Sequence, residues 1–497
     1  MSEANPELES QPVSETMELD AFQSLLKKEF RPKTEEAKSA VSVAVQTLAE
    51  QVVAQAATIS DNALETIEGL IKAIDSKLTE QINLILHHED FQKMESAWRG
   101  LNHLVSNTET DEMLKIRVMD ISKADISKTL KKYKGAAWDQ SPLFKKIYES
   151  EFGTPGGEPF GCLIGDYQFD HTPPDVAILK GMSQIASAAM APFITAANPT
   201  VMNMDNWNEL SNPRDLTKIF QSAEYAPWRS FRESEDARYV GLTMPRFLSR
   251  LPYGSKTNPV EEFDFEEETD SADSSKYTWS NSAYAMGTNI TRSFKEYGWC
   301  ACIRGAESGG MIEGLPCHTF PTDDGGVDMK CPTEIAITDR REAELAKNGF
   351  MPLSHWKNTD YAVFLGAQSA NKPAEYDDPD ATANANLAAR LPYLFSTCRF
   401  GHYLKCIVRD KIGSFKERED MQRWLNDWIK QYVTSSATAS EKEKARRPLA
   451  EAEVIVEEVE GNPGYYNSKF FLRPHYQLEG LSVSLRLVSK LPSAKEG

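Results

Sequence analysis

The sequence predicts an α+β protein of several domains, with a helical N-terminal region, a mixed α/β body and a C-terminal domain that ends in β-strands. Apolar residues follow a heptad pattern in the N-terminal region. Short strand candidates alternate with helices in the middle of the chain. Near the C-terminus, strand patterns lie on both sides of the turn Gly461-Asn462-Pro463-Gly464. Because 497 residues exceed what one compact core holds, about two or three domains are expected.

Composition indicates a folded cytoplasmic protein. Hydrophobic residues make up 40% of the chain and aromatic residues 10%, which is enough for packed domains. No apolar run approaches the roughly 20 residues that span a bilayer. The first residues, MSEANPELESQPVSETMELD, lack the basic and apolar regions of a signal peptide. Seven thinly spread cysteines are typical of a reducing compartment. We therefore expect no membrane insertion and a cytoplasmic location.

The charge of the chain bears on its partners. With 74 acidic and 55 basic residues the formal net charge is −19. Such a surface repels phosphate backbones, so nucleic acid is not an expected partner. The excess of carboxylates either provides solubility or orders assembly with a basic partner surface, and the sequence leaves both interpretations open.

Residues 1–33 are predicted to be a flexible acidic tail with a short amphipathic helix, Met17–Phe30. Four apolar side chains share one face of that helix: Leu19, Phe22, Leu25 and Leu26. Pro32 ends it. A helix this short is marginal alone and gains stability by docking.

Residues 34–110 are predicted to be helical. One helix carries a heptad seam formed by Leu64, Ile67, Ile71, Ile74, Leu78, Gln81 and Ile85. Such a seam packs against a partner helix, either on another chain or within the same domain. We favour another chain because the seam begins just after the flexible tail. A further helix is predicted over Phe91–Val105.

Residues 111–380 are predicted to form a mixed α/β body. Strand candidates are Leu114–Val118, Gly161–Ile164 and Ala362–Leu365. A helix is predicted to begin at Pro173-Pro174-Asp175, because the first turn of a helix tolerates proline. The acidic run 261–275 is expected to be a solvated loop.

Residues 381–497 are predicted to contain a Trp-rich helix, Gly413–Val433, and two strands, Val454–Val459 and Ser482–Val488. The apolar residues of these strands are Val454, Val456, Val459, Val483, Leu485 and Leu487. A strand close to a chain end is easily lent to the sheet of a neighbouring molecule. The sequence therefore predicts a terminal strand that the sheet of a neighbouring molecule can accept.

Two patterns suggest an enzyme as the alternative. Ser308 lies in the loop Ala306-Glu307-Ser308-Gly309-Gly310, which resembles the nucleophile loop of trypsin-like proteases but has no histidine in a matching context. A zinc site could use ligands between Cys300 and Cys331, but a single Cys-x-Cys pair is a weak signal. The set comprises Cys300, Cys302, Cys317, His318 and Cys331.

Other chemical signatures also point away from catalysis. The chain contains no GxxxxGK[ST] phosphate-binding loop. His355, His402 and His475 lie among aromatic and basic residues, which is typical of structural histidines. We expect no catalytic residue, no cofactor and no metal.

Several blocks of sequence, in a fixed order after residue 90, carry a family resemblance. They are Trp98-Arg99-Gly100-Leu101, GEPFGCLIGDYQF from Gly157, APF at Ala191, EDARYVGLTMPRFLSRLPYG from Glu235, GWCACIRGAESGGMIEGLP from Gly298, PTEIAITDRRE from Pro332, the runs ATANA and RFGHYLK, and RPHYQLE from Arg473. In these blocks the chain resembles the large subunit of the type VI secretion system contractile sheath, the TssC/VipB family.

The resemblance implies a structural role in a multidomain contractile-sheath fold. Family members form heterodimers with the small sheath subunit (TssB/VipA), which polymerise around a tube of Hcp on a membrane-anchored baseplate in a Gram-negative cell. Contraction propels tube, spike and effectors into a target cell. A sheath made from one polypeptide, as in phages, is a related alternative.

The resemblance also implies roles for particular residues. The AAA+ unfoldase ClpV would grip Leu19, Phe22, Leu25 and Leu26. The small subunit would pack on Leu64, Ile67, Ile71, Ile74, Leu78 and Ile85. The inner domain would exchange the C-terminal strands and face the tube with Arg418, Arg423 and Lys430 of the 413–433 helix.

Overall fold

The structure is a computed structural model. It describes residues 39, 43, 63–212, 215–270, 273–322, 324–413, 418–436, 438–459, 466–475 and 477. The chain divides into two compact units, one formed by Met1–Gln92 with Leu251–Tyr277 and the other by Lys93–Arg250 with Thr278–Gly497. The predicted segments Met17–Phe30 and Ser482–Val488 lie outside the described residues.

The smaller unit contains helix α1 (Ala63–Leu86), the first residues of α2 (Glu89–Ser106) and a 3-10 turn near residue 275. The side-chain amide of Asn83 donates to the carbonyl of Glu266 (3.1 Å) and accepts from the N–H of Glu268 (2.8 Å). As predicted, residues 261–270 of the acidic run form a loop, but this loop is bound to α1 and buries Phe265.

The larger unit contains most of the helices. They are α3 (Lys123–Lys132), α4 (Pro142–Phe144), α5 (Pro173–Ala189), α6 (Leu216–Gln221), α7 (Ala226–Arg232), α8 (Ser282–Tyr297), α9 (Asp339–Lys347), α10 (Pro379–Ala388), α11 (Leu391–Asp410), α12 (Arg418–Lys430) and α13 (Glu441–Arg446). A π-helical stretch, Lys145–Gly153, follows α4. As predicted, α5 begins with its two prolines, where the missing N–H groups are not needed.

The same unit contains the strands. They are β1 (Leu163–Phe169), β2 (Phe193–Ala197), β3 (Val240–Met244), β4 (Phe247–Leu248), β5 (Trp279–Ser280), β6 (Met311–Ile312), β7 (Thr319–Pro321), β8 (Val327–Met329), β9 (Met351–His355), β10 (Ala362–Phe364), β11 (Leu449–Glu458) and β12 (Tyr466–Pro474). Three pairs form separate two-stranded sheets: β4 with β5, β7 with β8, and β11 with β12.

A six-stranded mixed sheet of order β1-β2-β3-β9-β10-β6 forms the centre of this unit. Strands β1, β2, β3 and β9 are parallel, whereas β10 runs antiparallel to both β9 and β6. Consecutive residues of β2 enter different cores: Phe193 packs with Leu179 and Met182 of α5, and Ile194 packs with Met286 of α8. Both faces of the sheet are therefore covered, which explains why every residue of β2 and β3 is buried, including Thr195 and Thr243.

The mixture of helix and sheet confirms the predicted α+β class. The strand predicted at Ala362–Leu365 corresponds to β10, and the one predicted at Gly161–Ile164 corresponds to the start of β1, which begins at Leu163. The helix predicted over Gly413–Val433 is shorter in the structure: α12 runs from Arg418 to Lys430, and residues 431–433 lie beyond its end. None of the described helices has the length and apolar character that crossing a bilayer requires.

The prediction of a strand at Leu114–Val118 is wrong. No described strand pairs with this segment, and a β-strand exists only where a neighbour takes its backbone hydrogen bonds. Its basic side chains form ion pairs instead, Lys115 with Glu158 and Arg117 with Glu151. The segment borders a cavity of about 880 Å³.

Candidate assembly interface

The C-terminal hairpin of β11 and β12 is the best candidate for an interface. The two strands pair antiparallel, with Val454 opposite Phe470 and Val456 opposite Ser468. An isolated two-stranded hairpin is only marginally stable in water. Here one face is buried, because Val454 and Val456 pack into a core with Leu425 of α12.

An aromatic cluster joins this hairpin core to the rest of the larger unit. The ring of Trp299 stacks on that of Phe400 at a centroid distance of 4.1 Å. Tyr432 meets both rings edge-on, at 5.3 Å from Trp299 and 5.7 Å from Phe400. Stacked and edge-to-face pairs of this kind add stability beyond area burial. The hairpin is thus held on a rigid base.

The opposite face of the hairpin is exposed. It carries Glu453, Glu457 and Lys469, and the Lys469 ammonium lies 2.8 Å from a carboxylate oxygen of Glu457. Phe470 and Phe471 expose 37% and 55% of their surface. Phe471 lies opposite Glu453 on this exposed face, whereas Phe470 lies opposite Val454 on the buried face.

The strand residues singled out from the sequence fall into three groups. Val454 and Val456 are buried in β11, and Val459 lies one residue beyond the end of that strand. Val483, Leu485 and Leu487 lie outside the described residues. Strand exchange itself stays a prediction.

The basic residues predicted to face the tube lie on α12. Arg418, Arg423 and Lys430 are all exposed, whereas Leu425 and Ile429 of the same helix are buried. Arg418 pairs with Glu419 at 3.3 Å and Arg423 with Asp420 at 3.9 Å, so this exposed face carries both signs of charge. Exposed pairs of this kind contribute little to stability.

The heptad seam of α1 is only partly covered within its own unit. Ile71 and Ile85 expose 52% and 55% of their surface. Ile74 and Leu78 are half-buried. Nothing is described for the side chains of Leu64 and Ile67, or for Leu19, Phe22, Leu25 and Leu26.

In the larger unit, side-chain hydrogen bonds connect sequence segments that carry the family resemblance. Arg246 binds the Glu334 carboxylate through Nε (3.0 Å) and a terminal nitrogen (2.6 Å). Arg304 donates from Nε to the side-chain oxygen of Gln477 at 2.8 Å. Sequence reasoning missed these pairs because nothing in a single sequence links residues so far apart.

The sequence also gave no signal for two polar residues of α12 that contact the hairpin. The amide of Asn426 donates to the carbonyl of Val454 (2.7 Å) and accepts from its N–H (2.9 Å). The side-chain oxygen of Gln422 accepts from the N–H of Val456 at 3.0 Å. Both side chains therefore bond to the backbone at the outer edge of β11.

The geometry around Ser308 is that of a turn. Ser308 is exposed, and in the described part of the chain no histidine hydrogen bonds to it. The turn is closed by a hydrogen bond from the N–H of Gly310 to the carbonyl of Gly305 (2.9 Å). Gly310 in turn accepts from the N–H of Phe364 at 3.0 Å, which fixes the turn beside β10.

The proposed zinc ligands do not converge. All seven cysteines are free thiols, and among the described residues no three His, Cys, Asp or Glu side chains are grouped as a metal site requires. Burial raises the pKa of Cys300 to about 12, so this thiol stays protonated. Burial also raises the pKa of Cys331, but hydrogen bonds with His355 and Thr333 outweigh it and lower that pKa overall.

The other two histidines weighed as acid–base residues differ in their surroundings. His402 is buried, and its Nε2 lies 2.8 Å from the carbonyl oxygen of Ala189. His475 donates its backbone N–H to the carbonyl of Pro448 at 3.0 Å, next to the last pair of the β11–β12 ladder. Both residues hold chain segments in place.

In comparisons with known proteins, the chain matches sheath proteins. Residues 68–371 match the family model VipB, described as the EvpB/VC_A0108 tail sheath N-terminal domain. Residues 380–491 match the model VipB_2, described as the EvpB/VC_A0108 tail sheath gpW/gp25-like domain. A protein of Pseudomonas aeruginosa named type VI secretion system sheath protein TssC1 is 71% identical over 497 residues, covering 100% of both chains.

Solved structures with some similarity come from contractile injection machines. One is a chain of the anti-feeding prophage baseplate, with 10% identity, a TM-score of 0.37, and coverage of 76% of this chain and 83% of that chain. Another is a chain of the contracted PVC sheath complex, with 10% identity, a TM-score of 0.33, and coverage of 62% and 68%. These scores are too low to add weight to the full-length sequence match. By that match and the two family models, the chain belongs to the VipB family of type VI secretion tail sheath proteins.

Proposed function

We propose that this chain is the large structural subunit of a contractile sheath, which pairs with the small sheath subunit (TssB/VipA) and polymerises around a tube of Hcp. The observation that carries the proposal is the 71% identity to a type VI secretion sheath protein over the full length of both chains. The heterodimers would assemble on a baseplate in the cytoplasm, and contraction would drive tube, spike and effectors outward. In this role the chain has no catalytic activity and needs no cofactor.

The small subunit would bind the helical region, residues 34–110. The exposed side chains of Ile71 and Ile85 support this, because apolar residues at heptad positions gain stability when a partner helix covers them. A middle domain, residues 111–380, would form the sheath wall, and residues 381–497 would form the inner domain. There, α12 would face the tube with Arg418, Arg423 and Lys430, and the hairpin would exchange strands with neighbouring copies. Residues 482–488, with Val483, Leu485 and Leu487 on one face, are the strand that would be lent.

Recycling would use the N-terminal tail, residues 1–33. The unfoldase ClpV would bind the apolar face of Met17–Phe30, made of Leu19, Phe22, Leu25 and Leu26. Deleting residues 1–30 should abolish ClpV binding to contracted sheaths. Unchanged binding by the truncated chain would rule this role out.

Co-expression with the small subunit tests the proposal. The complex should copurify through a tag on either chain and should pellet as polymer on ultracentrifugation. The double substitution Ile71→Asp with Ile85→Asp should abolish copurification, whereas Lys72→Asp, at an exposed position of the same helix, should not. Polymer from this chain alone would favour the one-polypeptide sheath. Bound zinc, or labelling of Ser308 by a serine-hydrolase probe, would favour the enzyme.

A further inference from the structure

Two cysteines lie opposite each other at the end of the β7–β8 hairpin that is remote from its turn. The ladder of this hairpin pairs Thr319 with Met329. In an antiparallel ladder, each step back along one strand is matched by a step forward along the other. Two steps beyond the pair of Thr319 and Met329, Cys317 therefore lies opposite Cys331, and opposite residues share one face of the ladder.

The hydrogen bonds of the hairpin bring these two residues within the distance that a disulfide requires. The N–H of Lys330 donates to the carbonyl of His318 at 2.8 Å, so the intervening pair is a hydrogen-bonded one. Because bonded and non-bonded pairs alternate, Cys317 and Cys331 form a non-bonded pair, in which the Cα atoms are about 4.5 Å apart. Disulfides join cysteines whose Cα atoms are about 4.4–6.8 Å apart.

Both thiols also meet at the turn that follows β9. Sγ of Cys317 donates to the carbonyl oxygen of Thr359 at 3.8 Å. Nε2 of His355 lies 2.9 Å from that same oxygen. The His355 ring in turn hydrogen bonds with the thiol of Cys331. The two thiols therefore lie beside one imidazole–carbonyl pair, which brings them together independently of the ladder.

The surroundings make the two thiols unequal. Burial alone would raise the pKa of Cys331, but hydrogen bonds with His355 and Thr333 outweigh it and lower that pKa. Burial raises the pKa of Cys317, and the charges of Asp360 and Cys331 raise it further. Because the thiolate is the nucleophile in thiol oxidation, Cys331 is the thiol that reacts first.

Other thiols of the chain are held in the protonated form. Burial raises the pKa of Cys302 to about 11 and that of Cys398 to about 12. Burial also raises the pKa of Cys162. A protonated thiol is a poor nucleophile, so an oxidant should react with Cys331 before it reacts with these three.

We propose that Cys331 and Cys317 form a dithiol that hydrogen peroxide oxidises to a disulfide. Cys331 is the attacking thiol, Cys317 is the resolving thiol, and His355 is a positioning residue that accepts the proton of Cys331. Because a disulfide in a reducing compartment is usually transient and redox-sensing, we expect a reversible bond. The inference goes beyond the proposed function, since it adds a modification site and does not require a sheath.

The oxidation is balanced in two steps. The Cys331 thiolate attacks one oxygen of hydrogen peroxide, the O–O bond breaks, and the leaving hydroxide takes the proton held by His355 to become water. Cys317 then attacks the sulfenic acid formed at Cys331: the S–S bond forms, the S–O bond breaks, and the leaving hydroxide takes the Cys317 proton. The two thiols lose two electrons, the peroxide gains them, and two waters are released. A small thiol such as dithiothreitol reverses the bond by exchange.

Peptide mapping of the full-length chain tests the bond directly. Trypsin separates the two cysteines, because peptide 305–330 contains only Cys317 and peptide 331–340 contains only Cys331. The reduced chain is treated with hydrogen peroxide, the remaining thiols are blocked with N-ethylmaleimide, and the digest is analysed by mass spectrometry. We expect the two peptides to become linked and dithiothreitol to separate them.

The oxidised chain should still migrate as a monomer in non-reducing electrophoresis, because the bond lies within one chain. A link from either cysteine to a different one, a disulfide-linked dimer, or two unlinked peptides after peroxide treatment would each overturn the inference.

Serine substitutions separate the roles of the two thiols. Cys317→Ser removes the resolving thiol, so the sulfenic acid at Cys331 should persist and be trapped by dimedone. Cys331→Ser should leave Cys317 unoxidised at the same peroxide dose. Cys406→Ser removes a half-buried thiol of α11 and is the matched control, which should leave the linked peptide unchanged. Dimedone labelling of Cys317 in the Cys331→Ser chain would contradict the assigned roles.

Rate measurements on a His355 variant test the positioning role. His355→Gln should slow the reaction of Cys331 with peroxide about tenfold or more at about pH 7, because the thiolate loses its partner. In that variant the rate should rise with pH towards the ordinary thiol pKa of about 8.5, whereas the native rate should level off at a lower pH. An unchanged rate and pH profile would contradict the role of His355.

Discussion

Glu95 and Arg250 form a nearly buried ion pair that links α2 to the segment after β4. Nε of Arg250 lies 2.6 Å from one carboxylate oxygen of Glu95, and a terminal nitrogen lies 3.3 Å from the other. The two side chains expose only 10% and 6% of their surface. Arg99 and the hydroxyl of Thr278 donate to the same carboxylate at 2.6 Å and 3.0 Å. Both oxygens are therefore satisfied.

Removing the negative charge should destabilise the larger unit strongly. The substitution Glu95→Gln leaves Arg250 buried without a counter-charge, which typically costs about 3–5 kcal/mol. The control Glu457→Gln breaks an exposed ion pair, in which the Glu457 and Lys469 side chains are 50% and 58% exposed. This substitution should lower the free energy of unfolding by less than about 1 kcal/mol. The free energy of unfolding from urea titration measures both. Equal losses of unfolding free energy in the two variants would contradict a larger contribution from the buried pair.

The same carboxylate should make the fold sensitive to acid. Burial alone would raise the pKa of Glu95, but the hydrogen bonds and charges of Arg250 and then Arg99 outweigh it and lower that pKa below the ordinary value. A carboxyl with a lowered pKa stabilises the fold fully above its unfolded pKa, and the contribution is lost as the pH falls through the folded pKa. Stability should therefore decline below about pH 4.5, with a smaller slope in Glu95→Gln. An identical slope in the two chains would contradict this.

His402 should add an acid dependence at higher pH. Burial lowers its pKa to about 4, whereas in the unfolded chain it is about 6.5. Between these values the unfolded state binds the proton more readily, so stability falls as the pH drops from about 6.5 to about 4, by up to about 3 kcal/mol. Replacing His402 by Gln should flatten the stability–pH curve in that window. An unchanged curve in the His402→Gln variant would contradict this.

Gly310 should tolerate no side chain. A Cβ there would lie 2.5 Å from the carbonyl oxygen of Phe364 and 2.5 Å from the nitrogen of Gly305. Gly310→Ala should therefore destabilise the chain by about 1–3 kcal/mol, as forced overpacking does. Gly161→Ala is the control, because nothing lies within 4 Å of its Cβ position. The melting temperatures of the two variants measure the difference. Equal melting temperatures would contradict the close contact at position 310.

Charge reversal on α12 should separate folding and sheath assembly from tube binding. Arg423→Glu with Lys430→Glu changes only exposed side chains, so the stability should shift by about 0.5 kcal/mol or less. If this face meets the tube, sheaths should still form but should no longer retain Hcp. Sedimentation of assembled sheaths with bound Hcp measures this. Full retention by the variant would place the tube contact elsewhere.

Local patterns predicted much of the fold. Proline placement located the start of α5 at Pro173, and apolar alternation located β11 around Val454. The same kind of pattern failed at Leu114–Val118, because alternation indicates a strand but does not supply the neighbour that must pair with it. Where no described strand lies alongside, the segment remains irregular.

Long-range polar contacts could not be predicted at all. Glu95 and Arg250 are 155 residues apart, and Asn426 meets Val454 only because α12 packs across the hairpin. In the sequence, nothing marks Glu95, Arg250 or Asn426 as one member of a long-range contact. The contact between α12 and β11 therefore follows from the fold and not from the strand pattern alone.

The central claim is that this chain works as a polymer with a small sheath subunit. Electron microscopy of the chain co-expressed with that subunit tests it most directly. We expect long hollow cylinders with a cogwheel cross-section. A discrete monomer that does not bind the small subunit would contradict the claim.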